Sequence, residues 1–74
     1  MSGSERLEKI AGELDRIADQ LGDAAMDVLR SAMEQDAAGA VLATKREKLL
    51  NRARSSAEKA KTLVRQADAL GSDG

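Results

Sequence analysis

Carboxylates and cationic side chains are the only groups in this 74-residue chain with much chemistry to offer, because it contains no His, Cys, Trp, Tyr or Phe. Asp15, Asp19, Asp23 and Asp27 recur every fourth residue, a spacing that stacks them along one side of a helix and would suit a hard cation. The row lacks the loop carbonyls and the spacing of a calcium site, so it reads as a solvated face and no metal is expected. A second charged set, Lys45, Arg46, Lys48, Arg52, Arg54, Lys59, Lys61 and Arg65, would bind phosphates or an anionic surface. These residues surround several sides of a helix rather than one. Opposite charge is also tethered beside them: residues 1–36 carry nine acidic and four basic side chains, and residues 37–74 carry four acidic and eight basic. Two such halves answer each other first, which leaves nucleic-acid or anionic-surface binding by the basic half as an alternative reading.

Catalysis lacks its usual parts. Without imidazole or thiol there is no ordinary near-neutral acid, base or nucleophile, and without aromatic rings there is no base-stacking platform. No glycine-rich phosphate loop or nucleophile elbow can be placed, and a carboxylate di-iron bundle would need Glu-x-x-His. The chain is therefore expected to be no enzyme, with no catalytic residue and no cofactor. The absence of Cys also removes disulfides and thiolate metal sites. No apolar run nears the roughly 20 residues of a membrane span, and Met1-Ser2-Gly3-Ser4 has neither a basic nor an apolar leader region. A soluble cytoplasmic protein without membrane association is expected.

What positions these side chains is a helical repeat. Leu7, Leu14, Leu21 and Val28 recur every seventh residue, with Ile10, Ile17, Ala24 and Ser31 three residues after each. Beyond Asp36-Ala37-Ala38-Gly39-Ala40, a second repeat places Leu42, Leu49, Ser56, Leu63 and Leu70 in one column and Arg46, Ala53, Ala60 and Ala67 in another. The two repeats match when residue numbers total 77: Leu7 meets Leu70, Ile10 meets Ala67, Leu14 meets Leu63, Ile17 meets Ala60, Ala24 meets Ala53 and Val28 meets Leu49. Only a chain folded back on itself satisfies such a match, so the fold class is all-α: an antiparallel helical hairpin of two long helices in a single domain, 1–74. Helix 1 is expected over about 4–36, the turn over about 37–40 with Gly39 left-handed, helix 2 over about 41–70, and a frayed tail over 71–74. Ser2 or Ser4 could cap helix 1, and Thr44 offers a capping box for helix 2. Breaks at Gly22 or Ser55 remain open alternatives.

The flanks of that seam differ. One edge pairs Arg6 with Asp73, Glu13 with Gln66, Gln20 with Lys59, Asp27 with Arg52 and Glu34 with Lys45, and no like charges meet. The other pairs Ala11 with Val64, Ala18 with Ala57, Ala25 with Leu50 and Ala32 with Ala43. A two-helix hairpin built on the Ile and Leu seam would leave this second strip in water, so Ala11, Ala18, Ala25, Ala32, Ala43, Leu50, Ala57 and Val64 are expected to form a dimer interface in an antiparallel four-helix bundle. A heteromeric complex, with this chain as an obligate subunit, would cover the same strip. Met26, Leu29 and Met33, with Val41, widen the apolar surface near the turn and form a candidate patch for an additional protein partner. At the same end Ser31 falls opposite Arg46 and Gln35 opposite Leu42, a polar hairpin tip.

The outline is similar to the small helical hairpins secreted by actinobacterial type VII systems. Their turn carries Trp-x-Gly and their tail a Tyr-based signal, whereas this turn reads Ala37-Ala38-Gly39 and the chain has no Tyr. No family is assigned from these residues.

Overall fold

The structure, a computed structural model describing residues 3–71, is a hairpin of α1, Gly3–Ala32, and α2, Ala37–Gly71. The two helices pack antiparallel against each other, and no strand occurs among the described residues. The hairpin is long and thin, with Cα extents of 58 × 14 × 9 Å. Neither Gly22 nor Ser55 breaks its helix. None of the described residues outside glycine has positive φ, and neither does any described glycine.

The turn, residues 33–36, lies four residues earlier than the sequence suggests, because Asp36 caps α2. Its Oδ1 accepts a hydrogen bond from the Gly39 backbone N–H at 2.8 Å, and its backbone carbonyl accepts one from Ala40 N–H at 2.9 Å. This satisfies an otherwise unpaired amide of the first turn. Gly39 is therefore helical rather than left-handed, and it serves through its missing side chain. A Cβ there would meet Gln35 Oε1 at 2.5 Å and Gln35 Cβ at 2.9 Å. Helix α1 ends early in exchange: Met33, Glu34 and Gln35 N–H groups bond to the carbonyls three residues back, which tightens the last turn. Thr44 sits inside α2 with its hydroxyl donating to the Ala40 carbonyl, so it caps nothing. Ser4 likewise lies within α1, while Ser2, Asp73 and the expectations attached to them lie outside the described residues.

The face that closes the hairpin differs from the expected one. Ala11 and Ala18 are 0% and 1% exposed, and Ala25, Ala43 and Ala57 are also buried. Leu7, Leu14, Leu21 and Val28 flank them half-buried, with Leu50 and Val64 across from them. The Ile and Leu columns of the expected seam are open instead: Ile17 is 46% exposed, Leu49 61%, Leu63 54% and Leu70 78%. Two helices share only a narrow line of contact, and small residues every seventh position let their backbones approach closely along it. The bulkier Ile and Leu columns stand to one side of that line.

The interior of α1 contains a simple test of this packing. A Cβ at Gly12 would meet nothing within 4 Å. Gly12→Ala should stabilise the hairpin by roughly 0.5–1 kcal/mol through lower backbone entropy in the unfolded chain, read as a rise in Tm by circular dichroism.

Candidate interaction surfaces

The side of the hairpin opposite the Ile and Leu columns is fixed by an interhelical ion pair. Lys61 Nζ donates to Asp15 Oδ1 at 2.8 Å, and Lys61 is half-buried. Seven residues further along each helix, Arg54 lies over Gly22, where a Cβ would come within 3.2 Å of its guanidinium. Both pairs of residue numbers total 76, so neighbours across the hairpin sit in almost the register read from the sequence. Arg54 also pairs with Glu58 at 3.7 Å and helps line a cleft of about 420 Å³ with Asp19, Gly22, Asp23 and Met26. Of the aspartate row, Asp15 is thus taken up by a lysine, and among the described residues no three carboxylates converge as a cation site would require.

The Lys61 ammonium, by its hydrogen bond and then by its charge, holds the Asp15 carboxyl below its ordinary 3.8, with desolvation opposing and Arg65 adding the smallest pull. A depressed carboxylate pKa gives stability that is complete above 3.8 and disappears as pH falls through the folded-state value. The stability difference between the parent chain and Asp15→Asn should therefore be constant near neutrality and shrink below 3.8, measured by urea unfolding across pH. Both partners are partly solvated, so the whole difference is small and should diminish with salt.

Near the tip on this same side, Met26, Leu29, Arg30 and Met33 line an open apolar groove of about 240 Å³. Met33 is 86% exposed. Three members of the predicted partner patch are thus brought together, while Val41 is exposed but does not line the groove. Arg30 reaches back to Asp27 at 3.4 Å along the rim.

The predicted dimer strip is where the structure departs most from the sequence reading. Ala11, Ala18, Ala25, Ala43 and Ala57 are buried inside the single chain, and Ala32, Leu50 and Val64 are half-buried in the same seam. A residue already enclosed by its own chain has no area to give a second copy, so this strip is the hairpin's own core. The unpartnered apolar face is formed by Ile10 and Ile17 of α1 with Leu42, Leu49, Leu63 and Leu70 of α2. Helical spacing places all six on the flank away from Asp15 and Lys61. Between the two columns lie half-buried Leu7, Leu14, Leu21 and Val28 of α1 with Ala53, Ala60 and Ala67 of α2; Ala24 continues the Ile column, and Ser31 and Arg46 close the face at the tip. Outside it, one turn of helix away from the Ile column, run Arg6, Glu13, Gln20, Asp27 and Glu34, acidic or neutral beyond its first residue; outside the Leu column run Lys45, Arg52, Lys59 and Gln66. The sequence pairs them across the hairpin, yet they stand on its two outer edges. The basic residues of α2 are divided, with Lys45, Arg52 and Lys59 on one edge and Arg54, Lys61 and Arg65 on the other side.

Comparison of the chain with protein-family models, with curated proteins and with solved structures gives no match. Among the described residues, no helix is long and apolar enough to cross a membrane.

Proposed function

We propose that this chain is a small, non-enzymatic protein–protein interaction module, an adaptor or regulator that works as a homodimeric four-helix bundle. The observation that carries the reading is the Ile and Leu face. A core of small side chains gives a 74-residue chain little stability on its own, whereas the six larger apolar side chains stay substantially in water. A second copy is the favoured occupant because the face is bordered by an acidic edge on α1 and a basic edge on α2. Such a surface complements itself.

The Met26, Leu29 and Met33 groove lies on the other flank and stays free when two copies close on the Ile and Leu face. Flexible thioether side chains around an open apolar groove suit a partner helix that inserts one or two apolar residues. Sedimentation equilibrium should give twice the 7.8 kDa chain mass at micromolar concentration. A helical species of 7.8 kDa at every concentration would overturn the homodimer. Insoluble or unfolded material when the chain is expressed alone would point to a heteromeric subunit instead.

A further inference from the structure

We infer that the second copy closes on the Ile and Leu face with the two-fold axis running along the length of the hairpins, so that both tips lie at one end of the dimer. This rests on the dimeric reading above and specifies its geometry. Two copies of one face can meet only about a two-fold axis that lies in the plane of that face. The axis then runs either along the helices or across them, and the two choices pair different elements. Along the helices, each α1 stacks on the α2 of the other copy, antiparallel. Across them, α1 stacks on α1 and α2 on α2, with the tips at opposite ends.

Charge separates the two. The crosswise axis sets the edge containing Glu13, Asp27 and Glu34 against itself, and the edge containing Lys45, Arg52 and Lys59 against itself. Like charges facing each other over the middle of both edges disfavour it, the one cation of the α1 edge, Arg6, lying at its end. The lengthwise axis sets each acidic edge against a basic one. It also preserves height along the hairpin, so the register in which Asp15 meets Lys61 within one chain carries over between chains. Asp27 then stands within a turn of Arg52 of the other copy, and Glu34 within a turn of Lys45. The exposed Asp27 to Arg30 pair, 3.4 Å within one chain, is the kind of weak contact that exchanges readily.

Packing points the same way. In the lengthwise arrangement Ile10 stands over Ala67 of the other copy, Ile17 over Ala60 and Ala24 over Ala53. The two isoleucines meet alanines, as interdigitating layers require, and the Ala24 level lets the copies approach closely. These are the pairs whose numbers total 77. The match visible in the sequence is then made between copies, on a face the hairpin leaves open.

The chain lacks cysteine, so a nitroxide can be attached at Ala38→Cys in the tip alone. Pulsed electron paramagnetic resonance on a sample whose dimeric mass is checked by sedimentation should give a label separation of roughly 20–30 Å, set by helices packed 8–10 Å apart plus two label linkers. Tips at opposite ends would give about 50 Å, close to the 58 Å length of the hairpin. Reversing Lys45→Glu and Arg52→Glu together should weaken the dimer about tenfold or more, and adding Asp27→Lys with Glu34→Lys should restore it. A dimer with the long separation, or one indifferent to these reversals, overturns the lengthwise axis alone. A labelled parent that stays monomeric overturns the dimeric reading as well.

Discussion

Ala18→Asp should unfold the hairpin. Ala18 is 1% exposed at the centre of the seam, and the substitution places a carboxylate between two packed helices. Burying an unpaired charge costs about 3–5 kcal/mol, against a total stability of roughly 4–11 kcal/mol for a chain of this size. Thermal unfolding followed by circular dichroism should show a fall in Tm of roughly 15–30 °C, or loss of most helicity at room temperature. Gln20→Asp adds a carboxylate two residues away on the exposed surface and should change stability by about 0.5 kcal/mol or less. The contrast isolates burial from charge. Leu50→Asp belongs with Ala18→Asp, because Leu50 is half-buried in the same seam. On the sequence reading it would have split a dimer; in this fold it damages the monomer.

Leu49→Asp combined with Leu63→Asp should do the opposite, separating the copies and leaving the helices in place. These leucines are 61% and 54% exposed in the single chain, so the hairpin does not depend on them. Closing a dimer over them removes the remaining area from water, worth on the order of 1 kcal/mol per side chain, and two-fold symmetry counts each twice. Adding carboxylates to that surface raises the penalty. The dimer should weaken by roughly a thousandfold or more. Sedimentation would then show the 7.8 kDa species at concentrations where the parent is dimeric, with its far-ultraviolet circular dichroism still helical.

The hairpin itself was legible because two heptad columns on α1 and two on α2 match only when the chain reverses. Its axial register was nearly right as well, since Asp15 with Lys61 and Gly22 with Arg54 total 76 against the expected 77. The rotation of each helix was not legible. Leu7, Leu14, Leu21 and Val28 border both candidate faces, so the same periodicity supports either one, and hydropathy favours the Ile and Leu side. What decides the matter is distance of approach, which alanine at Ala11, Ala18 and Ala25 permits and Ile10 and Ile17 do not. A strip of alanines beside a bulkier apolar stripe could have been read as the seam on that ground.

The turn lies at 33–36 and not at 37–40 for a local reason. Gly39 drew attention as a left-handed residue, while Asp36, three residues before it, carries the capping chemistry that starts α2 at Ala37. The Met groove was easier to read, because Met26, Leu29 and Met33 fall three and four residues apart on one side of α1 whichever way the helix turns. Val41 comes from the other helix, and its place depended on the rotation that hydropathy misjudged. The charged edges suffered from the same error: Asp27 with Arg52 and Glu34 with Lys45 are complementary, but the structure puts them on opposite outer edges of one hairpin.

The central claim is a division of labour between two apolar faces, alanine inside the chain and Ile and Leu between chains. Broadening of methyl signals by a soluble paramagnetic agent, recorded over a dilution series, tests it most directly. The methyls of Ala11, Ala18 and Ala25 should stay protected at every concentration at which the chain is helical, while those of Ile10, Ile17, Leu49 and Leu63 should be protected when concentrated and exposed when dilute. Ile and Leu methyls protected at every dilution, with the alanine methyls becoming exposed as the sample is diluted, would contradict it.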